Sequence, residues 1–488
     1  MPGKTSLSLY PYKTCILKEK NLQKQLLRTY MILTLPFFFG WLLSFPFYGP
    51  VLYQAAPELT VKGISLVLIF IFFHVMAFIL GGLLLKKTDR WYHILLCSLV
   101  VTLAANLALA LPYPQLWPLV MIVFGVSSSL YILGWSSFFS LGLHIKGRIK
   151  IMAAVIILSN LVFFLLNLLV KVLPLNVVVL APCIPLIIAL VVLLRFPFPP
   201  AQVLQRPTLS LQLPNPLLLI LSLFIFILYI NGGFMYRIML PALKVDVPFY
   251  SYYRFFLYIL VLMVIYLYHK QIKRHIFLYT GVSLLGLAFV SFALLGQGTA
   301  GLLITSGLVE AAFALLDLFF WITVGSLSFI YGAPFAFFGF TMAATTGSIF
   351  LGDLIANQLL HIGETHRLVT AIFAAANIFL AVTVMPWLNQ RIDENLSRVL
   401  QKEGESTSSP EEISLDRLTR YLLPGETLTP REKEIALLIL QGLTNKDIAR
   451  QLFISENTVK THLKNIYQKF GVTKKKDLLY LFARKEEE

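Results

Sequence analysis

Four polar side chains near the C-terminal end have types and spacing that suit contact with a polyanion. Asn457, Lys460, Thr461 and Lys464 lie at positions i, i+3, i+4 and i+7, so in a helix they share one face with no acid between them. Long cationic donors beside short hydroxyl and amide groups are what reaches base edges and phosphates in a DNA major groove. The opposite face would be an apolar stripe formed by Val459, Leu463, Ile466 and Phe470.

The residues before each apolar stripe predict the helices that position this face. Thr429, Pro430 and Glu432 form a capping box with proline at the first helical position. Thr444 is predicted to cap a second helix, with Asp447 in the reciprocal position, and Ser455 to cap the third helix over 456–470. Gly471 would end the third helix, and Thr473 would cap a fourth that runs to about residue 484.

The charge of this segment supports the same chemistry. Between residues 429 and 485 there are twelve Lys and Arg but five Asp and Glu, a surplus of +7. A basic surplus on so small a unit is typical of domains that bind nucleic acid. The segment therefore predicts a compact helical domain, over residues 425–488, that binds double-stranded DNA.

The run LTPREKEIALLILQGLTNKDIARQLFISENTVKTHLKNIYQKFGV, residues 428–472, resembles the LuxR-type helix-turn-helix, also called FixJ- or NarL-type. The resemblance implies DNA contact by Lys460, Thr461 and Lys464. It makes His462 a packing or phosphate-adjacent residue rather than a catalytic or metal-bound one. Phosphate anchoring is implied for Thr444, Asn445, Lys446, Thr458 and Lys475.

Two further features of the domain follow from the resemblance. Lys474, Lys475 and Lys476 stand where the family usually has a single Arg, which keeps the charge but not the planar fork of a guanidinium. Family members often pair through the fourth helix. A homodimer is therefore predicted, with Leu478, Leu481 and Phe482 as its exposed stripe.

The rest of the chain has the composition of a membrane protein. Of its 488 residues, 58% are hydrophobic and 13% are charged, against about 25% charged in ordinary soluble proteins. Twelve segments approach the roughly 20 apolar residues that a spanning helix needs. They are residues 30–53, 64–85, 93–111, 116–141, 151–172, 177–194, 216–236, 249–268, 276–295, 302–322, 334–359 and 368–387.

Lys and Arg in the short loops predict the orientation. The loops after spans two, four, six and eight carry eleven of them, Arg148 and Arg274 included, whereas the loops after the odd-numbered spans carry five. A basic arm, residues 1–29, adds to the same side. Both termini are therefore predicted to be cytoplasmic, in the plasma membrane of a bacterial cell, where a C-terminal domain would share a compartment with DNA.

A proline-rich loop, 195–214, divides the spans into two sets of six, over residues 30–195 and 214–387. The basic loops after spans two and eight mirror each other. This plan resembles the major facilitator superfamily of transporters, whose two halves are repeats. Gly82 and the pair Asp89–Arg90 match that family's loop signature, but Trp91, Tyr92 and His93 depart from it. Residues 388–424 are predicted to form a cytoplasmic linker.

Ionisable residues inside spans are costly, so they mark candidate sites. Glu310 and Asp317 lie seven residues apart on one face of span ten, and Arg254 lies in span eight. We expect these three side chains to line a ligand or proton site between the halves. The alternative is that they only pair with other groups inside the bundle.

The sequence thus predicts an all-α, polytopic membrane domain followed by a four-helix DNA-binding domain without a wing. No enzyme signature, cofactor motif or metal-ligand spacing is present in the sequence. One hypothesis is a membrane-bound one-component regulator that senses a small molecule. The alternatives are a transporter that carries a regulatory DNA-binding domain, and a transporter whose terminal domain binds only protein.

Overall fold

The computed structural model separates the chain into two compact units, Met1–Leu396 and Ser397–Glu488. The residues that it describes are 33–47, 49, 51–52, 60–61, 64–85, 91–111, 113–142, 147–195, 213, 215–239, 250–269, 272, 274–295, 298–363, 366–406, 422–423, 425–440, 444–452, 454–474 and 477–478.

The first unit is built from helices that are apolar around most of their circumference. The first half contains α1 (Leu33–Ser44), α2 (Leu66–Leu84), α3 (Trp91–Ala108), α4 (Trp117–Gly142), α5 (Arg148–Val172) and α6 (Cys183–Arg195). The second half contains α7 (Pro216–Phe234, continued by a π-helix, Met235–Met239), α8 (Tyr250–Tyr268), α9 (Arg274–Leu294), α10 (Thr299–Tyr331), α11 (Pro334–Leu360) and α12 (His366–Ser406). The last ten residues of α12, 397–406, belong to the second unit. Two-residue strands, Thr60–Val61 and Ile64–Ser65, pair antiparallel before α2.

The positions of these helices follow the predicted spans. Within the described ranges, nine are long and apolar enough to cross a membrane, while α1, α6 and the apolar stretch of α8 are shorter. The expected all-α polytopic class is confirmed, and the count of twelve spans stays a prediction. One difference is in α10, which continues to Tyr331 rather than ending near residue 322. The uncharged residues after position 322 are almost all buried, so nothing forces the chain out of the apolar environment there.

Close helix contacts hold the bundle together. α7 packs along α11 and α9 along α10 in the second half, and α2 packs along α4 and across the halves against α11. A Cβ atom on Gly233 of α7 would overlap the backbone of Ile349, Gly352 and Asp353 of α11. Small residues that let backbones approach are the usual basis of association in lipid, which offers no hydrophobic force between apolar helices.

Buried hydrogen bonds tie the helices of the first half together. Trp41 Nε1 donates to Asn106 Oδ1 at 3.0 Å, and Asn106 Nδ2 donates to the carbonyl of Val179 at 3.0 Å. The bundle thereby links α1 through α3 to the turn before α6. Many serine and threonine hydroxyls bond instead to the carbonyl one turn earlier, as Ser159 does to Val155 at 2.7 Å. Both patterns satisfy polar groups that lipid would leave unpaired.

Arg148 was expected in a basic loop, and this placement is wrong. It is the first residue of α5 and is fully buried, where it donates to the carbonyl of Ser140 at 2.6 Å. Its guanidinium also lies 5.1 Å from the ring centroid of Phe329 on α10. The long arginine side chain lies between the end of α4 in the first half and the end of α10 in the second half. Its charge is therefore not exposed to solvent in a loop.

The second unit contains α13 (Pro430–Leu440), α14 (Asn445–Gln451) and α15 (Glu456–Lys469) around a small apolar core. The capping box is confirmed: Thr429 N donates to Glu432 Oε2 at 2.9 Å, and Glu432 N to Thr429 Oγ1 at 3.3 Å. Gly471, with φ of 65°, ends α15 in a Schellman motif, in which Val472 N donates to the carbonyl of Tyr467 at 2.9 Å. Most of the predicted fourth helix lies outside the described residues.

The stripe proposed for dimerisation needs a correction. Leu478 is fully buried in the core of this unit rather than exposed. The helical spacing could not distinguish an outward stripe from an inward one, since both are apolar. Leu481 and Phe482 lie outside the described residues.

Candidate DNA-binding surface and membrane cavity

The polar face of α15 is exposed as its pattern predicted. Asn457, Lys460, Thr461 and Lys464 are all exposed, whereas Val459, Leu463 and Ile466 on the opposite side are buried. Ser455 Oγ accepts a hydrogen bond from Thr458 N at 3.1 Å, which fixes the N-terminal end of the helix. The helix thus presents two cations and two short polar groups on one surface.

The residues implied for phosphate anchoring lie at helix starts, where these are described. Thr444 and Thr458 are exposed, and Asn445 is half-buried. Asp447 N donates to Thr444 Oγ1 at 3.3 Å, so Thr444 also caps α14. Lys446 lies in α14 with its side chain outside the described part, and Lys475 falls outside the described residues altogether. His462 is half-buried, which fits a packing role better than an open ligand position.

Two basic residues inside the LuxR-like run, neither of them predicted as a DNA contact, fix the helices of this domain against one another. Lys469 Nζ donates to Glu432 Oε2 and to the carbonyl of Thr427, each at 2.8 Å. Arg431 donates to the carbonyl of Leu452 at 2.7 Å. Burial acts to raise the pKa of the Glu432 carboxyl, but hydrogen bonds from Lys469 and Thr429 outweigh it and hold that pKa below its usual value. Local sequence spacing could not predict the ion pair of Glu432 with Lys469, because the two residues are 37 positions apart.

In the first unit, a cavity of about 730 Å³ lies between the two halves. It is lined by helices of both, including His74 of α2, Lys171 of α5 and Arg237 beyond α7. Glu310 and Asp317, which the sequence placed on one face of span ten, both line it. Arg254 lies in α8, but its side chain lies outside the described part of the structure.

The carboxylate of Asp317 joins three helices of the second half. Tyr229 of α7 donates to its Oδ1 at 2.7 Å, and Tyr258 of α8 donates to its Oδ2 at 2.7 Å. Neither tyrosine was predicted as a site residue, since a tyrosine in an apolar span more often packs against neighbouring helices or faces lipid than binds a ligand. Asp353 of α11 also lines the cavity, and it lies 3.9 Å from Nε of Arg237.

The far end of α10 and the start of α9 hold the last helix. α12 includes Pro386 but continues unbroken to Ser406, beyond the end of the predicted membrane span near residue 387. Arg274 donates to Asp393 at 2.6 Å and to Asn389 at 2.9 Å, while Tyr331 donates to Asn395 at 3.1 Å. We call these three bonds the α12 clamp. Arg274 was expected in a basic loop and instead begins α9 with an almost buried side chain.

The second unit matches a known family by sequence. The family described as bacterial regulatory proteins, luxR family, matches residues 426–482. The nitrate/nitrite response regulator homologue of Haemophilus influenzae is 42% identical over 79 residues, 16% of this chain and 38% of that protein. The regulatory protein LiaR of Bacillus subtilis is 55% identical over 51 residues, 10% of this chain and 24% of that protein. A putative HTH-type regulator of Mycobacterium bovis is 44% identical over 102 residues, which are 19% of this chain and only 11% of that protein.

The first unit resembles solved transporters by fold. A proton:xylose symporter of the major facilitator superfamily superposes with a TM-score of 0.61 and 11% identity, over 75% of this chain and 95% of its own. The superfamily member FucP, in an outward conformation, superposes with a TM-score of 0.55 and 13% identity, over 72% of this chain and 98% of its own. The chain therefore carries a LuxR-family helix-turn-helix domain at its C-terminal end, after a multi-pass membrane domain with the major facilitator fold.

Proposed function

We propose that this protein is a membrane-bound one-component transcriptional regulator. Its membrane domain senses a small molecule in the cavity between the halves, and its C-terminal domain binds promoter DNA. The observation that carries the proposal is the exposed polar face of α15, with Lys460 and Lys464 one turn apart above a buried apolar stripe. The excess of Lys and Arg in alternate loops supports an orientation with both termini in the cytoplasm. The matching family, described as bacterial regulatory proteins, supports a bacterial plasma membrane.

The DNA-binding step follows from the geometry of α15. Lys460, Thr461 and Lys464 would meet base edges in the major groove, together with Asn457. Thr444, Asn445 and Thr458, with the lysines Lys446 and Lys475, would hold phosphates at the helix starts. Phosphate contacts set the position of the domain on the duplex, and base contacts set its sequence preference.

The sensing step is a shift between two arrangements of the membrane domain. A ligand changes the equilibrium only if it binds one arrangement more tightly than the other. Glu310 and Asp317 lie on α10, and the same helix ends at Tyr331 in the α12 clamp. A movement of α10 on ligand binding would therefore act directly on the helix that leads toward the DNA-binding domain.

A chromatin pull-down with the full chain tests the DNA-binding half of this proposal. The wild type should recover a defined promoter, and Lys460→Ala with Lys464→Ala should reduce that recovery at least about 30-fold, because each such contact is worth about 1–3 kcal/mol. Lys433→Ala, which removes a lysine outside the predicted contact set, should leave recovery unchanged. A double variant that keeps the same salt-dependent affinity for the promoter would refute the assignment of the recognition helix.

A second candidate function is a transporter that carries a regulatory DNA-binding domain. The fold of the first unit and its cavity between the halves favour it. Deletion of residues 425–488 separates the two: uptake or efflux that survives the deletion supports transport. If the deletion variant loses the transcriptional response to ligand, and the wild type transports nothing in membrane vesicles, the sensor is supported.

A further inference from the structure

The partners of Asp317 distinguish it from the other acids of the cavity. Both of its oxygens accept hydrogen bonds from neutral hydroxyl groups, those of Tyr229 and Tyr258. Asp353, in contrast, has Arg237 as an ion-pair partner at 3.9 Å. No ion pair to Asp317 occurs among the side chains that the structure describes. A carboxylate in an apolar setting is stabilised by a positive partner, and here a ligand can supply it.

The charges around the cavity are arranged unevenly. The described basic side chains that line it, Lys171 and Arg237, are both exposed, whereas Glu310 and Asp353 are buried. His74 is hydrogen-bonded to Ser128 and Ser129, whose hydroxyl oxygens lie 2.9 and 2.8 Å from its Nδ1. Negative charge therefore lies inside the cavity and positive charge toward its outside.

Aromatic rings lie on the same face of α10 as the two acids. Phe313, Phe320 and Trp321 all line the cavity with Glu310 and Asp317. The Tyr229 ring lies 5.9 Å from that of Phe313, and the Phe39 ring of the first half lies 5.8 Å from that of Trp321. The faces of such rings attract cations and bury flat apolar groups.

We propose that the cavity binds an organic cation with a flat apolar body, and that Asp317 is its anionic partner. This proposal rests on the cavity being the ligand site of the proposed sensor. A volume of about 730 Å³ suits a ligand of several fused rings, since pockets for such molecules span about 300–1,000 Å³. The tyrosines that hold Asp317 orient its carboxylate, and Glu310 adds a second negative charge about two helical turns away. An organic anion of the same shape would meet these acids and be rejected.

Two fluorescent probes with the same xanthene ring system test the charge requirement. Purified full-length protein in lipid nanodiscs is titrated with cationic rhodamine 6G and with anionic fluorescein, with empty nanodiscs as the baseline. We expect saturable binding of rhodamine 6G alone. Asp317→Asn should weaken it at least tenfold, Tyr258→Phe less than threefold, and Asp393→Asn, which makes the same change outside the cavity, not at all.

The result that would overturn the proposal is equal binding of rhodamine 6G to wild type and a folded Asp317→Asn variant, or displacement of rhodamine 6G by fluorescein on the wild type. The second measurement needs no variant to fold. Failure of the sensor is visible separately: rhodamine 6G that binds through Asp317 without changing promoter occupancy keeps the cation site and refutes sensing. A promoter reporter that responds only to neutral or anionic compounds refutes the cation site and keeps the sensor.

Discussion

The membrane domain and the C-terminal domain obtain their cores by different means. In the C-terminal domain, α15 buries its apolar stripe and exposes its polar face, because in water burial of apolar side chains and solvation of polar ones both stabilise the fold. In the membrane domain, almost every residue of α10 between Val309 and Ile330 is buried, and large apolar residues such as Leu294 and Phe379 are 77% and 71% exposed on the outside of the bundle. Lipid does not distinguish inside from outside by hydrophobicity, so packing and hydrogen bonds must do so.

This difference changes what a polar residue means. On the C-terminal domain a polar face is the default, and its function is visible only through the pattern of residue types. Inside the membrane domain a polar residue is expensive, so Asp317, Asp353 and Asn106 each mark a bond between helices or a site. Substitutions in each domain test this contrast.

The first concerns the apolar stripe of the C-terminal domain. Ile466→Ala removes a fully buried side chain and should lower the free energy of unfolding of that domain by about 2–5 kcal/mol. Amide exchange in α13, α14 and α15 of the full chain measures this loss. Gln468→Ala, at an exposed position of the same helix, should change stability by less than about 0.5 kcal/mol. Similar effects at both positions would show that burial does not organise this domain.

The second concerns the backbone contact between α7 and α11. Gly233→Ala should destabilise the membrane domain by about 3 kcal/mol, because the added methyl group meets backbone that cannot move aside. Gly286→Ala on α9 is the control, since its nearest neighbour would be 3.9 Å away, and it should be neutral. Thermal unfolding in detergent, followed by size-exclusion chromatography, measures both. Equal melting temperatures for the two variants would contradict the close contact.

The third concerns the α12 clamp. Arg274→Gln removes the bonds to Asp393 and Asn389 and should cost about 1–2 kcal/mol, a range reduced because Asp393 is half exposed. Amide exchange over residues 389–397 should rise about tenfold. Arg391→Gln breaks an ion pair within α12 itself, with Glu394 at 3.5 Å, and should leave exchange almost unchanged. If both variants exchange alike, Arg274 does not hold the helix.

The fourth concerns the ion pair of the C-terminal domain. The folded-state pKa of Glu432 lies below its unfolded value of about 4.5, so its contribution is present above pH 4.5 and is lost as pH falls through the folded pKa. Glu432→Gln should cost about 1 kcal/mol at pH 7. The free energies of unfolding of wild type and variant should begin to converge as pH falls below about 4.5 and should meet only below the folded pKa. A difference that persists into acid would assign the effect to packing rather than charge.

The two domains also differ in how far sequence reasoning reached. Caps, helix ends and the polar face of α15 were predictable because each depends on residues within one or two turns, as Thr429 and Glu432 show. Leu478 was placed on the wrong side because only the packing of the whole domain decides which apolar stripe is buried. Arg148 and Arg274 were placed in loops because a count of charges along the sequence gives no information on tertiary partners. In the structure each begins a helix, and its long side chain donates to a residue of another helix, Ser140 or Asp393.

An apolar multi-helix domain and a LuxR-type DNA-binding domain were both predictable from the residues alone, because hydropathy and local motifs are properties of neighbouring residues. The sequence also placed Glu310 and Asp317 on one helix face. Only the tertiary structure showed that Tyr229 and Tyr258 hold Asp317, and that Arg274 and Asp393 join across 119 residues. Such pairs depend on which helices lie side by side, and an all-round apolar helix does not encode its neighbours in its own periodicity.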